Sequence, residues 1–219
     1  GAALSLAGYE VGLLLKKKFK MALFNPLLIA ILCVMGMLQL MQVDYKTYNA
    51  GGQYISYLLT PATVCLAVPL YRQLTLLRKN LKAVVIGIVS GVLASMVSVL
   101  IFAKLFGLSH SEYVTLLPKS ITTAIGMGVS EELGGVVTIT VAVIVITGVL
   151  GNVISDLVCK LFRLEEPVAK GLALGTAAHA IGTAKAMELG EIEGAMSSLS
   201  IAVAGLLTVV VVPLMSGLI

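Results

Sequence analysis

Long uncharged runs alternate with short polar interludes along the whole chain. Residues 21–43, 47–71, 83–103, 136–155 and 195–219 carry no Asp, Glu, Lys or Arg apart from their edges. At about 20 residues or more, each is long enough to cross a hydrocarbon core of roughly 30 Å as a helix. A shorter apolar segment, 2–15, precedes them and ends at Lys16, Lys17, Lys18 and Lys20. Asn25-Pro26 is a good start for the next helix, because proline suits a first turn. The pattern predicts an all-α polytopic membrane protein with about seven or eight hydrophobic segments.

Two polar islands, 117–135 and 171–190, break the pattern. Both are rich in Gly and Thr and both carry a lysine. The first has 11 uncharged residues, 120–130, too few to cross as a regular helix, and the second has 14, 171–184. Polar backbone is tolerated at membrane depth only where it lines a site or a cavity, so the islands predict interrupted or re-entrant helices. The run 47–71 is a third interrupted segment, broken at Thr60-Pro61-Ala62-Thr63 and again at Pro69. In 83–105, Gly87, Gly91 and Ser95 recur every fourth residue. This is a helix-packing stripe, usable in a homodimer or inside one subunit.

Composition strengthens the membrane reading. The 219 residues are 58% hydrophobic and 12% charged, with mean hydropathy +1.04; a soluble domain carries about twice that charge. The chain is read as one transmembrane domain, 1–219, multi-pass in a cell membrane. The net charge of +4 comes from lysine and arginine clustered in short loops. That is a positive-inside pattern and not a nucleic-acid surface. Cys33, Cys65 and Cys159 lie far apart and form no metal-binding spacing, so no metal or other cofactor is expected. No basic stretch precedes an apolar core at the start, so no cleaved signal peptide is expected.

The basic clusters also constrain topology. They follow the first segment, the third (Arg72, Arg78, Lys79, Lys82) and the sixth (Lys160, Arg163, Lys170). If every segment crosses, the last cluster falls on the wrong side. If the first island dips in and returns, all three share the cytoplasmic side. The segments opening at Thr60, Pro118 and Thr176 are faintly alike, each followed by a turn and a long clean span. Repeats joined by an odd number of crossings would be inverted.

Candidate chemistry lies in the islands. On an unbroken helix, Thr176, His179 and Thr183 share a face, and Gly182 would let the backbone break or approach closely. Exposed N–H groups at a broken end suit a carboxylate. Lys185 is one turn from that face. The opposing reading is that the threonines bond their own i−4 carbonyls and His179 pairs with a neighbouring helix. In the first island, Lys119, Ser120, Thr122 and Thr123 precede Gly126 and Gly128. Lys119 is either a snorkelling lysine or the cation facing an anionic substrate. Glu131, Glu132, Glu191 and Glu193 read as solvated, Asp156 as a local partner of Lys160, and Asn152 as a weak candidate. Thr63 faces the same cavity in a third broken helix. Gly182-Thr-Ala-Lys185 lacks phosphate-loop spacing, and no residue pair forms a nucleophile and base. The pattern points to binding and away from enzymatic bond-breaking.

Asn25-Pro-Leu-Leu-Ile-Ala, Tyr48-Asn-Ala-Gly-Gly, Pro61-Ala-Thr-Val, Pro118-Lys-Ser-Ile-Thr-Thr and His179-Ala-Ile-Gly-Thr-Ala-Lys, with Glu191-Ile-Glu-Gly-Ala-Met, resemble the LrgB/CidB family over nearly the whole chain. One departure is Ala124, where the family pattern leads one to expect proline after the paired threonines. The resemblance implies two functions. Bacterial members are named as antiholin- or holin-like regulators of murein hydrolase export and cell lysis, working with a small LrgA/CidA-type membrane protein. A plastid relative looks like a glycolate/glycerate translocator, and some bacterial pairs look like pyruvate carriers. The residues favour a carrier of small monocarboxylates such as glycolate, glycerate, pyruvate or lactate. Its expected partners are the carboxylate, membrane lipid and a second copy of the chain.

Overall fold

The computed structural model describes residues 1–19, 24–65 and 67–219. Lys20, Met21 and Leu66 lie outside the described residues. So do the side chains of Thr60, Thr63 and Pro69. The described residues are helical and form two compact units, 1–66 and 67–219.

The first unit holds α1 (Ala2–Phe19), α2 (Pro26–Leu40), α3 (Tyr45–Ser56) and α4 (Leu59–Cys65). Helices α1 and α2 pack antiparallel: Gly8 lies against Ala30 and Gly12 against the Pro26 backbone. Asn25 caps α2 as its sequence suggests, accepting from the N–H groups of Leu27 at 2.9 Å and Leu28 at 3.3 Å. At 15 residues, α2 is shorter than the uncharged run around it. The continuous span allowed by residues 47–71 does not form. It is divided among α3, α4 and α5 (Ala67–Arg72), with α4 and α5 each starting two residues before a proline, Pro61 and Pro69, which suits a first helical turn.

The second unit contains α5, α6 (Leu74–Lys79), α7 (Leu81–Phe106), α8 (His110–Leu116), α9 (Thr123–Glu132), α10 (Val137–Leu161), α11 (Pro167–Leu189) and α12 (Glu191–Ser216). Helices α7, α10 and α12 are long and apolar enough to cross a membrane. The two polar islands do not cross. Helices α8 and α9 form a hairpin whose ends return to one level. The Ser111 hydroxyl donates to the Gly134 carbonyl at 3.0 Å, and the Val136 N–H donates to Thr115 Oγ1 at 2.7 Å. A capping box between Ser109 and Glu112 starts the hairpin. The Ser109 hydrogen bonds hold the Glu112 carboxyl below the usual carboxylate range.

Helix α11 is also a hairpin. Its backbone leaves the helical region at Ala178 (φ −126°, ψ 15°) and at His179 (φ 41°, ψ −132°). After that break the chain turns back on itself. A methyl group at Gly182 would run into the Leu174 carbonyl, eight residues earlier, which a straight helix would place about 12 Å away. The first arm runs parallel to α12, with Gly171 against Glu193 and Gly175 against Ser197 and Ser200. The second arm runs antiparallel to α12, with Thr183 bonded to Ser197 and Gly194 against Met187. Lys170 and Leu189, at opposite ends of α11, line one cleft. The second island is thus re-entrant, because the reversal at residues 178–179 returns the chain to the side it entered.

One crossing helix, α10, separates the hairpins, so they enter from opposite faces. The second and third of the three faint sequence similarities are thus an inverted pair: a hairpin followed by a crossing helix, twice. Arg72, which lies 3.8 Å from Glu191, joins Arg78, Lys79, Lys82, Lys160, Arg163 and Lys170 at one end of the unit. The other end carries Lys104. The positive-inside rule predicts a cytoplasmic location for the basic end.

Single cysteines replacing Glu131, Glu165 and Glu188 test this topology. An impermeant thiol reagent labels positions 165 and 188 from the same side and position 131 from the other. Labelling of 165 and 188 from opposite sides would mean that α11 crosses.

Candidate functional site

The hairpin tips approach one another inside the second unit. A small cavity of about 10 Å3 is lined by Leu117, Pro118, Ser120 and Ile121 from the first tip and by Thr176 from the second. Val92, Ser95 and Met96 of α7, with Ala204 and Thr208 of α12, close it. That volume holds about one water. Of the residues read from sequence, Ser120 and Thr176 line this cavity, Lys119 reaches its edge through Ser120 Oγ, and His179 stands at the second tip with its ring turned to Ile144 and Gly148 of α10.

The first tip is the non-helical stretch between α8 and α9. Helix α9 restarts at Thr123, with Thr122 in extended geometry (φ −63°, ψ 144°) as its N-cap and no side-chain bond to the helix N–H groups. The break that a proline at position 124 would have marked therefore lies before Thr122. Lys119 Nζ donates to Ser120 Oγ at 3.1 Å, and Ser120 Oγ lies 3.0 Å from Ser95 Oγ. Lys119 is half-buried, and among the described residues no carboxylate pairs with it. Nearer the base of this hairpin, Thr140 Oγ1 lies 2.7 Å from Ser130 Oγ and 3.0 Å from the Thr115 carbonyl oxygen. All three residues are buried. This buried polar knot ties the hairpin to α10, and the sequence reading missed it. Its three hydroxyls are spread over three elements, so no local spacing announces them.

The second tip is built on His179. Its Nε2 lies 2.9 Å from the Ile144 carbonyl oxygen. A carbonyl only accepts, so Nε2 carries a proton. Gly148 makes room for the ring, since a methyl there would fall 2.7 Å from Cε1. The Thr176 hydroxyl donates to the Leu172 carbonyl, and Thr183 Oγ1 donates to the His179 carbonyl at 3.0 Å while lying 2.7 Å from Ser197 Oγ. These are the i−4 bonds and the neighbouring-helix contact of the opposing reading.

Two expectations are corrected here. Thr176 and Thr183 do not share a helix face, because the break places them on different arms. The break lies at residues 178–179, and of the two roles open to Gly182 it is the close approach of the arms that the structure shows. Asp156 pairs with Lys185 at 3.0 Å and not with Lys160. Lys185 thus sits at the base of the hairpin, where Asp156 and Asn152, whose side chain donates to the Ile181 carbonyl at 3.1 Å, fasten the second arm to α10. The α7 stripe is used within the unit: Gly87 faces Leu172, Gly91 faces Thr176, and Ser95 bonds Ser120. Thr63 cannot be placed, since its side chain is outside the described part. Among the described residues there is no cluster of His, Cys, Asp and Glu able to hold a metal.

Opposed re-entrant hairpins between crossing helices define a multi-pass bacterial membrane protein with a buried polar centre. A family model described as the LrgB-like family matches residues 5–218, and the chain belongs to that family. It is 41% identical to the antiholin-like protein LrgB of Bacillus mycoides over 98% of this chain and 94% of that protein. It is 40% identical, with the same coverage, to proteins of that name in Bacillus cereus and Bacillus anthracis. No solved structure matches.

Substitution at the tightest approach of the arms has a defined outcome. Gly182→Val forces the second arm off the Leu174 carbonyl and destabilises the protein by about 1–3 kcal/mol or more. Gly128→Ala, in an exposed position of α9 with nothing within 4 Å, leaves thermal unfolding in detergent unchanged or slightly raised.

Proposed function

We propose that this chain is a carrier of small monocarboxylates such as glycolate, glycerate, pyruvate or lactate. The carrying observation is the meeting of two oppositely inserted hairpin tips around one small cavity. An unpaired, half-buried lysine stands at the first tip and a histidine at the second. Burying a lysine without a carboxylate partner is costly, which suits a place kept for an anion. Once the tips part to admit it, since the cavity between them holds about one water, Lys119 offsets the carboxylate, and the hydroxyls of Ser120 and Thr176 meet its second polar group. Thr122, Thr123 and Thr183 lie just behind the tips. His179, with one ring nitrogen on Ile144, has a second nitrogen that can exchange the coupling proton. Lys185 is a weaker candidate, because Asp156 already neutralises it. An inverted pair of hairpins supports alternating access, with one tip releasing toward each side.

A second reading follows from the relatives' name, antiholin-like protein LrgB: an antiholin-like regulator, to which the family resemblance adds murein hydrolase export, cell lysis and a small LrgA/CidA-type partner. It supposes large oligomers and passage of unrelated solutes, and it has the more direct support from similarity. A regulator of lysis does not require a shaped tip cavity, which is the reason for placing the carrier reading first.

Uptake of labelled glycolate and pyruvate into proteoliposomes holding the chain alone separates the two. The carrier reading expects saturable uptake that falls at least about ten-fold in His179→Ala and Thr183→Val. No uptake, or equal leakage of an unrelated sugar, would sustain the second reading instead.

A further inference from the structure

A groove of about 770 Å3 lies between α7 and the first arm of α11. Asn80 and Glu166 stand at its mouth on the basic end, and Ser90, Ala94, Ala173 and Thr176 lie along it. From Asn80 to Ala94 it follows α7 for about 21 Å. Thr176 closes its inner end and also lines the cavity between the tips. The groove therefore leads from the cytoplasmic face to the back of the second tip.

The α7 surface differs around its circumference. Facing the groove are Ala83, Gly87, Ser90, Gly91 and Ala94, with no large side chain. Turned away from it, Ile86, Leu93 and Val97 are exposed in the manner of a lipid-facing surface. On the first hairpin Tyr113, Val114 and Leu117 are fully buried, and the Tyr113 hydroxyl donates to the Met215 carbonyl at 3.1 Å. That face of the first hairpin is packed shut, whereas the second hairpin is open along its α7 flank.

We infer that this groove is the water-filled cytoplasmic vestibule through which the carboxylate reaches the hairpin tips. The structure is then the inward-open arrangement, and the contact of Thr176 with Gly91 is the last barrier before the tip cavity. This rests on the carrier reading. Leu76, Val168 and Leu172 line the side opposite α7; the polar groups Asn80, Ser90, Glu166 and Thr176 and the small α7 wall suit a hydrated anion, while an acyl chain would be better met by the bulky residues exposed elsewhere on α7.

The test uses a chain whose Cys33, Cys65 and Cys159 are replaced by alanine. Single cysteines are placed at Ala94 and Ala173 in the groove and at Leu93, level with Ala94 but facing away. An impermeant thiol reagent applied from the basic side modifies A94C and A173C about ten-fold or more faster than L93C, because only a hydrated thiol ionises readily. Modification of A173C stops uptake, and treatment of L93C does not. Equal rates at all three positions, or modification of A94C and A173C from the opposite side only, overturns the vestibule. Uptake without the labelling contrast rejects the groove and keeps the carrier. The labelling contrast without uptake in the unmodified chain rejects the carrier.

Discussion

Every backbone N–H and carbonyl placed at membrane depth must find a partner within the protein, and the second unit is organised around that constraint. A straight helix meets it unaided. A reversal does not, and this chain makes two. Each is stabilised by side chains bonded to backbone. Thr115 accepts from the Val136 N–H, Asn152 donates to the Ile181 carbonyl and His179 bonds the Ile144 carbonyl. Among the described residues no buried side-chain nitrogen or oxygen lacks a hydrogen-bond partner. Helix α10 supplies a partner to both hairpins, through Thr140 for the first and through the Ile144 carbonyl, Asn152 and Asp156 for the second. It is the post against which both are fixed.

Much of this was legible in the sequence. The uncharged lengths of α7, α10 and α12 mark them as crossing helices, and the 11-residue apolar stretch of the first island is too short to be one. Basic loops fix which end faces the cytoplasm once that island is allowed to return. The second island is harder to read. Its reversal occurs at His179, a non-glycine residue at positive φ, while the nearby Gly182 is the more obvious place for a break. Helical-wheel reasoning assumes an unbroken helix, so it placed Thr176 and Thr183 on one face. The Asp156–Lys185 pair joins residues 29 positions apart, which local spacing does not reveal. Close approach also hides in sequence: Gly171 and Gly175 look like ordinary small residues until backbone is found against them.

The antiholin-like names of the relatives and the geometry of the hairpins address different levels. A name drawn from lysis describes a consequence for the cell. Opposed hairpins with a lysine at one tip and a histidine at the other describe what the membrane-embedded part can hold. A carrier that changes the balance of a weak acid across the membrane would be able to influence lysis without forming a lesion, so the two readings need not compete at the level of the cell.

The central claim is that the two islands enter from opposite faces and meet at their tips. Cross-linking of the S120C/T176C pair by a short bifunctional thiol reagent in membranes tests it most directly, with S95C/S120C, whose native hydroxyls lie 3.0 Å apart, as the reference pair. The account requires both pairs to cross-link within one chain. Cross-linking of the reference pair alone would mean that the tips do not meet, and the shared site would be lost with them.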